Sequence, residues 1–273
     1  MHRRSRVFAA FALLAGACFA PLASAGYVID SNVADWGLVR TGQASNWTPS
    51  ASVKQYLVDD QTGGSNVYLD PGYGGQKYDA EAIYLDWDAT NLYVLVVTGL
   101  SPNQVHNPAA NSYGAGDILI DFGLNGSFDY GVAVKNYAGL NPGTLYRAGT
   151  LNYGIWTGPG VVGTPGVNPA ALKTGTALGA TQLSYSATGF NNLGQYASDT
   201  HYAIETAIPL ALLGSDWGVN GPNKAFFVQW TMYCANDIIG VDPAPSVPEP
   251  GVPALLAAVL GAVALGARRR VAR

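Results

Sequence analysis

The chain has 273 residues, 48% of them apolar and only 12% charged, with a formal charge of −4. Seven of its fourteen Lys and Arg residues crowd the two ends, so residues 26–247 keep seven basic against seventeen acidic side chains, a formal charge of −10. Such a surface repels phosphate backbones and excludes nucleic acid as a partner, while divalent cations and neutral sugars stay compatible with it.

At the N-terminus, Arg3, Arg4 and Arg6 precede an apolar stretch from Val7 to Leu22. Ala23-Ser24-Ala25 then sets small residues where a signal peptidase reads them. Residues 1–25 are therefore expected to direct export through the Sec machinery and to be removed between Ala25 and Gly26. Lipidation at Cys18 is disfavoured, because Ala15 stands where a lipobox needs a bulkier aliphatic residue. Removal of the leader leaves Cys234 as the only cysteine, so neither an intramolecular disulfide nor a cysteine-type zinc site is available. Stability then rests on a large core, with structural calcium as a candidate support.

Residues 26–241 are rich in Tyr, Trp, Val, Ile and Thr, punctuated by Gly and Asn, and lack any long helical period, which predicts an all-β domain. The clearest hairpin pairs Ala82–Trp87 with Leu92–Val97 around a turn at residues 88–91. A second pairs Asp117–Phe122 with Phe128–Val134. In its first strand Ile118, Ile120 and Phe122 share a face, and Leu119 lies opposite with Asp117 and Asp121. Further strands are expected at 144–147, 182–186, 202–208 and 226–233. Pro209 to Gly214 reads as one helical turn opened by proline and closed by glycine. The Gly-, Asn-, Pro- and Thr-rich stretch from Ala138 to Gly194 reads as long loops around short strands, a candidate binding rim. Residues 242–247, with Pro243 and Pro245, form an extended linker.

Two groups of hard oxygen donors stand out. Asp117, Asp121, Asn125 and Asp129 recur every fourth residue across the second hairpin, an arrangement that suits calcium, although each serves equally well as a strand end or an Asx-type turn residue. Asp79, Glu81, Asp86 and Asp88 gather at the first hairpin, where they repel one another unless spread in water or held by a cation. For sugar binding, which needs flat aromatic faces, the candidates are Trp156 in the Gly-rich stretch, Trp47 and Trp217. Trp36, Trp87 and Trp230 read as core residues. Catalysis has little support. His106 and His201 belong to no nucleophile motif, no phosphate loop or metalloprotease string is present, and Cys234 reads as a buried thiol. A carboxylate-pair hydrolase, which needs no fixed spacing, stays open as an alternative.

The chain closes with Val247-Pro248-Glu249-Pro250, an uncharged apolar run over residues 251–267, and Arg268-Arg269-Arg270. Seventeen apolar residues are at the short end of what spans a bilayer, and the arginines favour a cytoplasmic C-terminus with residues 26–250 outside. Residues 248–273, with the valine before them, resemble the PEP-CTERM sorting signal. The resemblance implies a transient stay in the inner membrane, cleavage by an exosortase, and delivery to the cell surface or extracellular matrix, in a setting of exopolysaccharide and biofilm.

Four blocks of the domain also resemble the family 9 carbohydrate-binding-module and DOMON-like group. They are Ile29-Asp30 with Asp35-Trp36-Gly37; residues 79–94; Gly116–Asp121 with Tyr130-Gly131; and Tyr202–Pro209 with Leu213-Gly214. That likeness implies an antiparallel β-sandwich, jelly-roll-like, often with structural calcium, and a non-catalytic sugar- or ligand-binding role. Alongside a polysaccharide-binding or scaffolding protein, an extracellular polysaccharide hydrolase and a purely structural surface protein stay open.

Overall fold

Alternating apolar residues in residues 80–98 form the centre of the molecule, which is described here from a computed structural model over residues 26–38, 47–61, 67–188, 200–219 and 221–242. Two antiparallel sheets dominate. The first holds β1 (Gln55–Val58), β2 (Ala80–Trp87), β3 (Asn91–Thr98), β8 (Gln182–Ala187) and β9 (Tyr202–Pro209), in the order β1-β2-β3-β9-β8. The second holds β4 (Ile118–Phe122), β5 (Tyr130–Val132), β6 (Thr144–Ala148), β7 (Gly175–Ala180), β10 (Phe226–Thr231) and β11 (Ile238–Val241), in the order β7-β6-β5-β4-β10-β11. The helical content among the described residues is three short 3-10 turns. The protein is all-β.

Side-chain alternation explains where the core sits. Ile83, Leu85, Val94, Val96, Ile204 and Ile208 of the first sheet meet Ile118, Ile120, Val132, Val228 and Trp230 of the second in one buried cluster. The opposite face of the first sheet carries Tyr84, Leu95, Val97 and Ala203, and the N-terminal segment covers it with Val33, Trp36, Leu38 and Trp47. Burying an indole withdraws roughly 200 Å² from water and contributes on the order of 5 kcal/mol before entropy. Leu119 faces away from Ile118 and Ile120, as the alternation predicts, and packs with Tyr146 and Leu172 on the outside of the second sheet. After Pro209 the chain makes a 3-10 turn over Leu210–Asp216, interrupted where Gly214 adopts φ 56°.

The stretch expected to be long loops is more ordered than its composition suggests. It supplies β6, β7 and β8, together with short paired strands at Leu151–Tyr153 with Pro169–Leu172 and at Trp156–Gly158 with Val161–Val162. The six residues of β7 are all half-buried or exposed, so no apolar alternation marks them. They are fixed by pairing with β6 instead. Residues 189–199, the leader (residues 1–25, with Ala23 and Ala25), the linker from Pro243 and the sorting tail (Val247 to Pro250, the apolar run 251–267 and Arg268 to Arg270) lie outside the described residues. Among those described, no helix is long and apolar enough to cross a membrane.

Candidate metal centre and adjoining cleft

Acidic side chains converge where β2 begins. Pairing of β2 with β3 slips between Ala80 and Ala82, leaving Glu81 as the extra residue of a bulge. The slip breaks the alternation. Ala82 faces the N-terminal segment and Ile83 the inter-sheet core, yet Ala80 also packs in the inter-sheet core. Bulges of this kind re-aim a side chain, here Glu81, into the fold. Carboxylate oxygens of Asp60, Asp79 and Glu81 lie within 4.8 Å of one another. Asp237, from the turn between β10 and β11, reaches the same place and accepts a hydrogen bond from the Ala80 amide at 2.6 Å through Oδ2. Asp79, Glu81 and Asp237 are completely buried.

Among the described residues, counter-charge and donors are sparse around Asp79 and Asp237. Neither Asp79 oxygen accepts a hydrogen bond of ordinary geometry, and neither does Asp237 Oδ1 or the Gln76 carbonyl Oε1 beside them. Among the described residues, no Lys or Arg forms an ion pair with Asp79 or Asp237. Burial, then repulsion from Glu81, pushes Asp79 up to about 8, even though the nearby Asp237 carboxyl and the Gln61 backbone pull it down. Burial, then the charge of Asp79, pushes Asp237 well above the carboxylate range. The two titrate as a coupled pair. His201 is buried behind them, its Nε2 3.3 Å from Glu81 Oε1 and 3.1 Å from Gln76 Nε2, with its ring edge-on to Trp47 at 5.0 Å.

These residues fit a hard divalent cation. Oxygens bound to calcium at about 2.3–2.6 Å lie no more than roughly 5 Å apart across the ion, which matches the span of the carboxylate group. Three or four carboxylates and an amide carbonyl are hard donors, and orphaned buried oxygens on Asp79 and Asp237 leave lone pairs for an ion.

A cleft of about 300 Å³ opens beside this cluster, with Tyr73, Tyr78, Tyr113, Asn111 and Val162 among its walls and Trp156 and Asn236 in its floor. The Trp156 indole donates to Asn236 Oδ1 at 2.7 Å, and Asn236 Nδ2 donates to the Tyr73 carbonyl at 2.7 Å. Gly72 is required here, since a Cβ on it would stand 2.1 Å from the Trp156 ring.

The residues singled out from the sequence divide between several places. Asp121 accepts the Gly126 amide at 2.8 Å, Asn125 the Ser127 amide at 2.8 Å, and Asp129 the Phe122 amide at 2.8 Å, so all three brace one turn. Asp117 lies before the other end of β4, where it clamps the Val134 and Leu172 amides at 2.9 and 2.8 Å. Burial pushes Asp117 up to about 7 against those two bonds. Of the first-hairpin carboxylates, only Asp79 and Glu81 join the cluster. Asp86 pairs with Lys54, and Asp88 caps the β2–β3 turn, where bonds from Thr90 and Asn91 outweigh burial and hold it down at about 2.

The three tryptophans proposed as sugar platforms need correction. Trp47, Trp156 and Trp217 are all buried, Trp217 edge-on to Trp87 and Phe226 in the core, so none offers an open ring face to a sugar. Gly26 lies at the start of the described chain, where a Cβ would meet the Tyr93 hydroxyl at 3.1 Å. Tyr73, 49% exposed, is the aromatic that the cleft presents to solvent, and nothing in its local sequence separates it from the other tyrosines.

Cys234 is buried, and burial pushes its thiol up to about 12. It should resist a maleimide in the native protein and react within minutes once the chain is denatured; rapid native labelling would contradict this placement. No family model matches the chain, and no curated protein shows significant similarity to it.

Proposed function

We propose that the protein is an exported surface or matrix component whose β-domain binds or scaffolds extracellular polysaccharide without catalysing its breakdown. In this reading the two facing sheets form a jelly-roll-like sandwich. Calcium sits among Asp60, Asp79, Glu81 and Asp237, and the Val247-Pro248-Glu249-Pro250 tail passes through the inner membrane to an exosortase. The observation that carries the binding role is the cleft itself. Its described lining is uncharged and rich in tyrosine, and it is set in a strongly acidic domain, features that favour a neutral sugar over an anionic ligand. Hydrolysis draws no support from the carboxyl pair, because Asp79 and Asp237 are sealed from solvent and a glycosidic oxygen has no route to them. His106, half-buried, packs against Tyr137 and Tyr233, with ring centroids 4.5 and 4.3 Å away, and accepts the Gly114 amide at 3.3 Å through Nδ1, contacts that hold its loop in place.

Export and binding are tested separately. With an epitope tag appended after Arg273, protein found outside the cell should have lost the tag while retaining residues 26–242. Tagged full-length protein outside the cell would end the processing reading. On a glycan array the exported protein should retain neutral polysaccharide fragments, and release no reducing sugar from them. Steady release of reducing sugar would replace the binding reading with the hydrolase.

A further inference from the structure

The candidate metal centre and the cleft share their scaffolding. Tyr78 and Asp79 are consecutive, and so are Asn236 and Asp237, so two segments each give one side chain to the cleft and the next to the carboxylate cluster. Those segments and their neighbours are tied by the Ala80 amide to Asp237 at 2.6 Å, the Gly72 amide to the Asn236 carbonyl at 2.8 Å, the Asn236 side chain to the Tyr73 carbonyl at 2.7 Å and the Ile238 amide to the Asp70 carbonyl at 3.1 Å. Asp79 and Asp237 meet there as two fully buried carboxyls, and they repel one another once both are ionised. A cation seated between them cancels that repulsion and fixes the spacing of Tyr78 from Asn236.

We propose that this cleft binds one ring of a neutral saccharide, and that the cation behind Asp79 and Asp237 sets its walls to receive it. The inference rests on the saccharide-binding reading above and adds its place and its control. Tyr73, half exposed, offers a flat face for sugar C–H bonds, and Tyr78 and Tyr113, which pack against the core, complete the walls. Asn111 is held at φ 52°, and its amide is engaged by no described residue, which leaves it to meet hydroxyl groups. Among the described residues no Asp, Glu, Lys or Arg lines the cleft, which favours an uncharged ring. Its volume of about 300 Å³ is at the small end for ligand pockets and suits a single ring with its bridging waters. Coupling between two such sites is reciprocal: whatever factor the cation adds to saccharide affinity, the saccharide adds to cation affinity.

The test is calorimetric titration of the full-length chain with cellotetraose, xylotetraose and mannotetraose, in saturating calcium and in EGTA. At least one oligosaccharide should bind about tenfold or more tightly with calcium, and calcium should bind tighter by the same factor in its presence. Tyr73→Ala, at an exposed position, should abolish saccharide binding and leave calcium binding intact. Asp237→Asn should lose calcium and bind saccharide at the EGTA level; the EGTA arm on the unaltered chain gives the same answer if that variant does not fold. Equal saccharide affinity in calcium and EGTA would overturn the coupling while leaving saccharide binding standing. No binding of any of the three in saturating calcium would overturn the saccharide reading, whatever calcium itself does.

Discussion

Removing calcium with a chelator should lower the thermal midpoint of the protein by about 5–10 °C at pH 8, and by much less at pH 5. The size follows from mass action. A cation held at about a hundred times its Kd stabilises the folded state by about 2.7 kcal/mol, and a domain of this length shifts by roughly 2–4 °C per kcal/mol. The pH dependence follows from Asp79 and Asp237. Both have folded pKa values raised above the unfolded value of about 3.9, Asp79 to about 8 and Asp237 well above the carboxylate range. Without the cation, the folded state therefore binds more protons than the unfolded chain above pH ~4. The stability linked to these two groups is fully present below that pH and is lost as pH rises through the folded values. With calcium bound, both carboxylates are ionised and that loss disappears. Burial raises Glu205 and Asp117 to about 7 as well, but they stand apart from the cluster and slope both curves alike. Only the gap between the curves reports the metal centre. A gap that narrows from pH 5 to pH 8 would mean that a proton, and not a cation, occupies the cluster.

Replacing Glu205 should cost more than any other single polar change on the far face of the first sheet. Its carboxylate is fully buried and accepts the Trp36 indole N–H at 2.8 Å and the Asp30 and Ser31 amides at 3.1 and 2.9 Å. Glu205→Ala leaves three donors without an acceptor beneath a buried tryptophan, a loss of about 3–5 kcal/mol in chemical denaturation. Glu205→Gln keeps one acceptor oxygen and should lose about half as much. Because Trp36 covers the outer face of β2, β3 and β9, its fluorescence should report water entry in the alanine variant before the sheets themselves unfold. A midpoint within about 1 °C of the unaltered protein for Glu205→Ala would show that the N-terminal segment does not depend on this clamp.

Strict alternation made both central hairpins legible in the sequence. Ile118, Ile120 and Phe122 turn to the inter-sheet core and Leu119 away from it because a period of two leaves no other choice once one face is buried. Strand β7 was hidden for the converse reason: with no buried residue, it carries no apolar rhythm, and only its partner β6 defines it. Asp79 and Glu81 were visible as members of a carboxylate group that repels itself unless spread in water or held by a cation, but the residues that join them were not. Asp60 and Asp237 come from other parts of the chain, and the bulge that turns Glu81 inward is a property of register with β3. Tryptophan identity misled in the search for a sugar platform, since Trp47, Trp156 and Trp217 carry enough apolar area to be drawn into the interior. The half-exposed aromatic near one of them is Tyr73, tilted against Trp156 with ring centroids 6.2 Å apart.

The most direct measurement of the central claim is a calcium titration of the full-length protein by calorimetry at pH 8, beside Asp79→Asn and Asp237→Asn. The buried carboxylate cluster requires one saturable site in the unaltered protein that disappears in both variants, while substitution of Asp121 or Asp129 leaves it unchanged. A site that survives loss of Asp79 and Asp237, or no heat of binding at millimolar calcium, would contradict it.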